Sequence, residues 1–176
     1  VRRIVGLSLP QAIRLLLPDA GEALRGEIDA AYRDAFRAAR ESGNLAEPLY
    51  AGIPETLAAL ARRDWLLGGA TGKSARGLDH CLAMHGLSDA FVTLQTADSH
   101  PSKPHPAMLE AALAEAGCDA AQAVMIGDTQ YDIAMACAAG VRAIGVDWGY
   151  HTADELFEAG ADAVALTPAH LLELLP

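Results

Sequence analysis

Cysteine, positive charge and long apolar runs are all scarce in this 176-residue chain, and each scarcity removes a class of protein. The three cysteines, Cys81, Cys118 and Cys137, are odd in number and form no Cys-x-x-Cys pair. Neither a disulfide framework nor a cysteine zinc site is therefore expected, and the thiols are read as reduced and mostly buried. Lys and Arg total 13 against 23 Asp and Glu, a net charge of −10. A nucleic-acid-binding surface would show a basic stripe, so that class of partner is excluded. No apolar run reaches the ~18 residues of a membrane span, and the chain opens on no signal-peptide pattern. The expectation is no membrane partner and a cytoplasmic location.

Apolar residues make up 52% of the chain, enough for a sizeable core. Residues 1 to about 48 read as helical. Ser8 is a candidate N-cap before Leu9-Pro10, with Ile13, Leu16 and Leu17 at helical spacing. A second helix, about Ala23 to Arg40, carries Leu24, Ile28, Ala31, Ala35 and Ala38 on one stripe. Pro48 and Gly52-Ile53-Pro54 punctuate the chain. Beyond them, strands near 65–70, 91–94, 123–127, 143–146 and 162–166 alternate with helices. This order predicts an α/β fold with a doubly wound parallel sheet, its crossovers right-handed.

Ala123-Val124-Met125-Ile126-Gly127-Asp128 is an apolar strand running into a tight glycine turn, and Asp132 follows four residues later. With a helix starting after the turn, Asp128 and Asp132 lie about one turn apart and face one small volume. Two hard oxygen donors at the C-terminal end of a strand suit Mg²⁺, which leaves coordination positions for phosphate and water. A turn Asp also serves simply to cap the next helix, so both assignments stand. Leu66-Leu67-Gly68-Gly69-Ala70-Thr71-Gly72 is a second apolar strand, ending in a hydroxyl and a glycine before a helix. That turn offers a side-chain OH and free N–H groups to an anion. In His100-Pro101-Ser102-Lys103-Pro104-His105-Pro106 the prolines stiffen the backbone around a single ammonium, which can neutralise a phosphate and a carboxylate together.

Two decoys accompany these stretches. Gly68-Gly69-Ala70-Thr71-Gly72-Lys73-Ser74 nearly spells a phosphate-binding P-loop, but Leu67 stands where that motif needs its first Gly. A P-loop nucleotide-binding protein remains an alternative, although it leaves Lys103 and Asp132 without a role. His80/His85 and His100/His105 lack the i, i+4 spacing of a helical zinc pair, and His105 is read as an exposed loop residue. Asp147, after the fourth strand, is read as a turn or cap residue.

The ordered set Thr71, then Lys103 in Lys-Pro-x-Pro, then Gly127-Asp128-x-x-x-Asp132 resembles the haloacid dehalogenase superfamily, in particular its phosphoglycolate phosphatase-like branch with a helical cap. The resemblance implies a partial helical cap over residues 1–48 and an α/β core over 49–176. It implies Thr71 and Lys103 as catalytic residues and Thr71, Gly72 and Lys103 as phosphate-binding ones. Asp128 and Asp132 would bind Mg²⁺ or orient the groups around it, Arg3 would be a cap contact, and the partner would be a small phosphorylated metabolite.

The family's first motif, Asp-x-Asp-Gly-Thr, carries the nucleophilic aspartate and occurs nowhere in this sequence. Its strand lies, in the family, between the strands ending at Thr71 and Gly127. Without it those strands are expected to leave unpaired backbone groups around an apolar gap, and the chain is read as a member missing its first strand. An intact enzyme would pass the phosphoryl group through an aspartyl-phosphate; a non-catalytic phosphate- or metabolite-binding protein is the alternative.

Overall fold

The computed structural model describes residues 2–43 and 45–176. After a 3-10 turn at Arg2–Ile4 come α1 (Leu9–Leu16) and α2 (Glu22–Glu41). The alternating part runs α3 (Ile53–Ala61), β1 (Gly68–Thr71), α4 (Ala75–Met84), β2 (Thr93–Thr96), α5 (Ala107–Ala116) and β3 (Val124–Gly127). It continues through α6 (Gln130–Ala138), β4 (Arg142–Val146), α7 (Ala153–Glu158), β5 (Ala163–Ala165) and α8 (Pro168–Leu174). Each expected strand is present within a few residues, and every strand pairing is parallel. No helix among the described residues is long and apolar enough to cross a membrane.

The central strand β4 is buried on both faces, which explains its near-continuous apolar run. Along β4, Ala143 belongs to a cluster with Met108 and Leu109 of α5, Ile133 and Met135 of α6 and Leu156 of α7. Ile144 and Val146 point the other way, against Leu60 of α3 and Leu171 and Leu175 at the C-terminal end of the chain. Ala143 and Ile144 are both fully buried, as the period-2 alternation of a central strand requires.

The pairing falls into two separate sheets, β1-β2 and β3-β4-β5. Thr71 is in register with Thr96, and Gly127 with Gly145, but no ladder joins β1 to β3. The two halves are joined instead by side-chain packing: α5 lies on β1 and β2 while its Met108 enters the core of the other sheet, and Trp65 and Leu67, just before β1, share a cluster with Ile144 and Val146 of β4.

Three local expectations change. Ser8 occupies the N-cap of α1 in extended conformation, but its side chain makes no capping bond; its N–H donates to Ser102 Oγ at 2.8 Å. In α2 nothing is fully buried, and of the expected stripe only Ile28 is half-buried, because α1 is the only helix packed closely on α2. Cys137 is exposed and Cys81 and Cys118 are half-buried, so none of the three thiols is fully buried.

Candidate active site

At the end of β3 the chain turns through Gly127-Asp128-Thr129 into α6. The helix cap is Thr129, not Asp128. Thr129 N–H and Oγ1–H donate to Asp132 Oδ2 at 3.1 and 2.6 Å, and the Asp132 N–H lies 3.4 Å from the Thr129 hydroxyl oxygen. This reciprocal arrangement is a capping box built from Thr and Asp. A Cβ on Gly127 would lie 2.2 Å from that of Asp132, so only glycine lets the strand end against this carboxylate.

With the cap supplied by Thr129, Asp128 is released from that duty. A second loop cradles it: Tyr150 N–H donates to Asp128 Oδ2 at 3.1 Å, and His151 N–H donates to the Asp128 carbonyl at 3.1 Å. His151 is 3% exposed, and its Nδ1 accepts the Gln130 N–H, tying the cradle to the first turn of α6. Burial, and next the charge of Asp132, push the Asp128 carboxyl above its ordinary value; the Tyr150 N–H and Lys103 oppose them.

Lys103 is 6% exposed, and two of the three N–H donors of its ammonium are engaged within the protein. It donates to Asp132 Oδ1 at 2.6 Å and to the Ala70 carbonyl at 2.8 Å, and so reaches from the acidic turn to the residue before Thr71. The Lys103-Pro104 peptide is cis. Thr71 Oγ1 accepts the Lys73 N–H at 3.2 Å. A Cβ on Gly72 would fall 2.7 Å from the Leu7 carbonyl, so the turn after β1 lies directly against the loop before α1.

Thr71, Gly72, Lys103, Asp128 and Asp132 all line one cavity of about 1200 Å³ between the helical layer and the sheets. The structure thus brings together the five residues that the resemblance assigns to catalysis, phosphate and metal. Arg3 is not among them: it pairs with Glu155 at 3.1 Å, beside a separate hollow that also includes Asp147. His105 is exposed, as expected, with its Nδ1 accepting the Ala107 N–H.

Lys73, the lysine of the P-loop-like run, reaches Glu47 Oε1 at 2.6 Å, while Ser74 caps α4 by accepting the Gly77 N–H. Glu47, which lies between α2 and α3, belongs to no sequence motif. Gly149 and His151 were equally silent, because a cradle made by backbone and a missing Cβ has no motif.

The residues present fit Mg²⁺. Asp128 is a partly desolvated carboxylate destabilised by a second one, which is the condition a divalent cation relieves. No cluster of three or more His, Cys, Asp or Glu able to hold a metal exists among the described residues. Mg²⁺, unlike a structural zinc, needs only one or two carboxylates when phosphate and water complete its shell. Both oxygens of Asp132 are already engaged, by Lys103 and by Thr129.

The acidic turn, the buried lysine and the hydroxyl turn surround one cavity at the C-terminal strand ends of the parallel sheets, the edge at which open α/β folds bind ligands. The haloacid dehalogenase-like hydrolase model matches residues 1–146, and the chain belongs to that family, in its phosphoglycolate phosphatase-like branch. It is 36% identical to a protein named "Probable phosphatase IndB" of Dickeya dadantii, over 95% of this chain and 73% of that one. It is 32% identical to the phosphoglycolate phosphatase of Photobacterium profundum, over 98% of this chain and 74% of the relative. Among solved structures it resembles one titled a "predicted phosphatase" of Clostridium acetobutylicum, with a TM-score of 0.86 and 25% identity over 98% of this chain and 80% of that one.

Proposed function

We propose that this chain binds small phosphorylated metabolites for phosphate-ester hydrolysis of the phosphoglycolate phosphatase kind, with residues 1–48 as a helical cap over a core of 49–176. The observation that carries this is the Lys103 ammonium, buried between Asp132 and the carbonyl of Ala70 at the mouth of the Thr71 turn. A desolvated cation so fixed is preorganised for the charge of a phosphoryl group.

In this reading Thr71 and the Gly72 N–H hold phosphoryl oxygens and Lys103 stabilises their charge. Asp128 is the carboxylate ligand of Mg²⁺, and Asp132 orients Lys103 and Thr129 rather than coordinating directly. Mg²⁺, when bound, supplies further positive charge to the phosphoryl group. The helical layer closes the cavity and excludes water from the scissile bond. None of the four side chains is assigned as the attacking group, since the family resemblance gives that part to an Asp-x-Asp-Gly motif and the sequence holds none.

The test is calorimetric titration of the chain with inorganic phosphate, with and without Mg²⁺. Mg²⁺-enhanced binding that is lost in Lys103→Ala supports the assignment. A folded wild-type chain that ignores phosphate, or a Lys103→Ala variant that binds it equally well, overturns it.

A further inference from the structure

We propose that Glu47 is a positioning residue that couples the connection between α2 and α3 to the phosphate-holding turn. The inference rests on the phosphate site proposed above and extends it to a residue outside the cavity's recognised motifs.

Glu47 lies in the short connection between α2 and α3, and its side chain is only 15% exposed. Its two carboxylate oxygens go to different parts of the molecule. Oε1 accepts from Lys73 Nζ at 2.6 Å, and Oε2 accepts from the Arg40 guanidinium at 2.9 Å. Its carbonyl oxygen is 2.7 Å from His85 Nε2, at the end of α4. One residue therefore ties the last turn of α2, the linker itself, the turn after β1 and the far end of the helix that follows that turn.

The link to the phosphate site is short. Lys73 is two residues past Thr71, donates its own N–H to the Thr71 hydroxyl, and accepts the Ala97 N–H on its carbonyl. Arg40 and Lys73 both lie over the Phe36 ring, at 5.0 and 6.0 Å, so the carboxylate gathers both cations beside a residue that lines the cavity. Burial alone would push the Glu47 carboxyl up. The hydrogen bonds from Lys73 and Arg40 outweigh it and hold the group below its ordinary value, so it is ionised at neutral pH.

Charge and position make opposite predictions here, which allows a decision between them. If Lys73 simply offered an ammonium to the ligand, removing the Glu47 charge would free that cation and tighten phosphate binding. If Glu47 fixes the turn through Lys73, the same change weakens binding, because Thr71 and Gly72 lose their anchored geometry.

The experiment is titration of the full chain with inorganic phosphate and saturating Mg²⁺, for wild type, Glu47→Gln, Lys73→Met and the double variant. The expected result is about tenfold weaker binding in each single variant, a change equivalent to about 1.4 kcal/mol, with the double variant no weaker than either single one. Lys73 is 41% exposed, so Lys73→Met keeps the test valid if Glu47→Gln does not fold. Tighter or unchanged binding in a folded Glu47→Gln overturns the inference, as do additive losses in the double variant. Should Glu47→Gln not fold, wild-type affinity in Lys73→Met overturns it. Failure of the wild-type chain to bind phosphate at all is a different result and strikes the proposed function itself.

Discussion

A Cβ on Gly149 would lie 2.1 Å from the Cβ of Asp128, closer than two nonbonded carbons can approach. Gly149 is not among the residues with positive φ, so its requirement for hydrogen is one of space, not of backbone conformation. Gly149→Ala should therefore move Asp128 and cost about 1–3 kcal/mol of stability through overpacking. Mg²⁺ titration and urea denaturation should both register the change. Normal Mg²⁺ affinity in this variant would remove Asp128 from the metal site.

The Lys103–Asp132 pair should behave unlike the pairs on α2. Both partners are about 6% exposed, and Lys103→Ala strands the Asp132 carboxylate without its cation, at about 3–5 kcal/mol. Arg33 and Arg37 pair with Asp29 and Asp34 on a surface helix, where truncation should cost about 0–1 kcal/mol. Denaturant midpoints of the three alanine variants decide the matter; similar values for all three would mean the buried pair is not special.

Acidification should separate Asp128 from Glu47, because their shifts have opposite sign. The raised Asp128 value means that its protonated form favours the folded chain at low pH, an advantage lost as pH rises through the elevated folded value. Mg²⁺ competes with that same proton, so its affinity should fall on acidification from a pH above the ordinary carboxylate range. Asp128→Asn should weaken Mg²⁺ binding and flatten this profile, whereas Asp147→Asn, at an exposed residue, should leave it unchanged. The depressed Glu47 value gives stability that is present above its ordinary value of 4.5 and is lost as pH falls through the lowered one. Denaturation of Glu47→Gln at neutral and acid pH should show its deficit shrinking at the acid end.

Purified chain with Mg²⁺ and a generic aryl phosphate should show no hydrolysis above buffer, since none of Thr71, Lys103, Asp128 and Asp132 is assigned to attack phosphorus. Turnover that survives rigorous purification and disappears in Asp128→Ala would place a nucleophile within these 176 residues.

The alternating part of the fold was legible because short apolar runs recur between helical stretches, two of them, β1 and β3, running into glycine-bearing turns. Thr71, Lys103, Asp128 and Asp132 were legible because their chemistry sits at the strand ends, where position in the chain predicts position in space. The division of labour at the acidic turn was not. Thr129 takes the cap, freeing Asp128, and only side-chain geometry shows which hydroxyl reaches Asp132. Lys73 pairs with Glu47, a partner 26 residues away that no local pattern announces. The α2 stripe misled for a related reason: periodicity reports which residues share a face, not whether anything packs against it.

Because no ladder joins β1 to β3, backbone hydrogen bonding does not carry cooperativity across the middle of the molecule. That task falls to packing through α5 and through Trp65 and Leu67, and to the ammonium of Lys103, which grips a carbonyl of one sheet and a carboxylate beside the other. The two halves should therefore open as separate units, with amide exchange finding β1 and β2 opening at a lower free energy than β3 to β5. A phosphate bound at Thr71 and Lys103 would touch both units at once. Ligand would then act as mortar, merging two partial unfolding events into one, and its arrival would be readable in the slowest-exchanging amides far from the pocket.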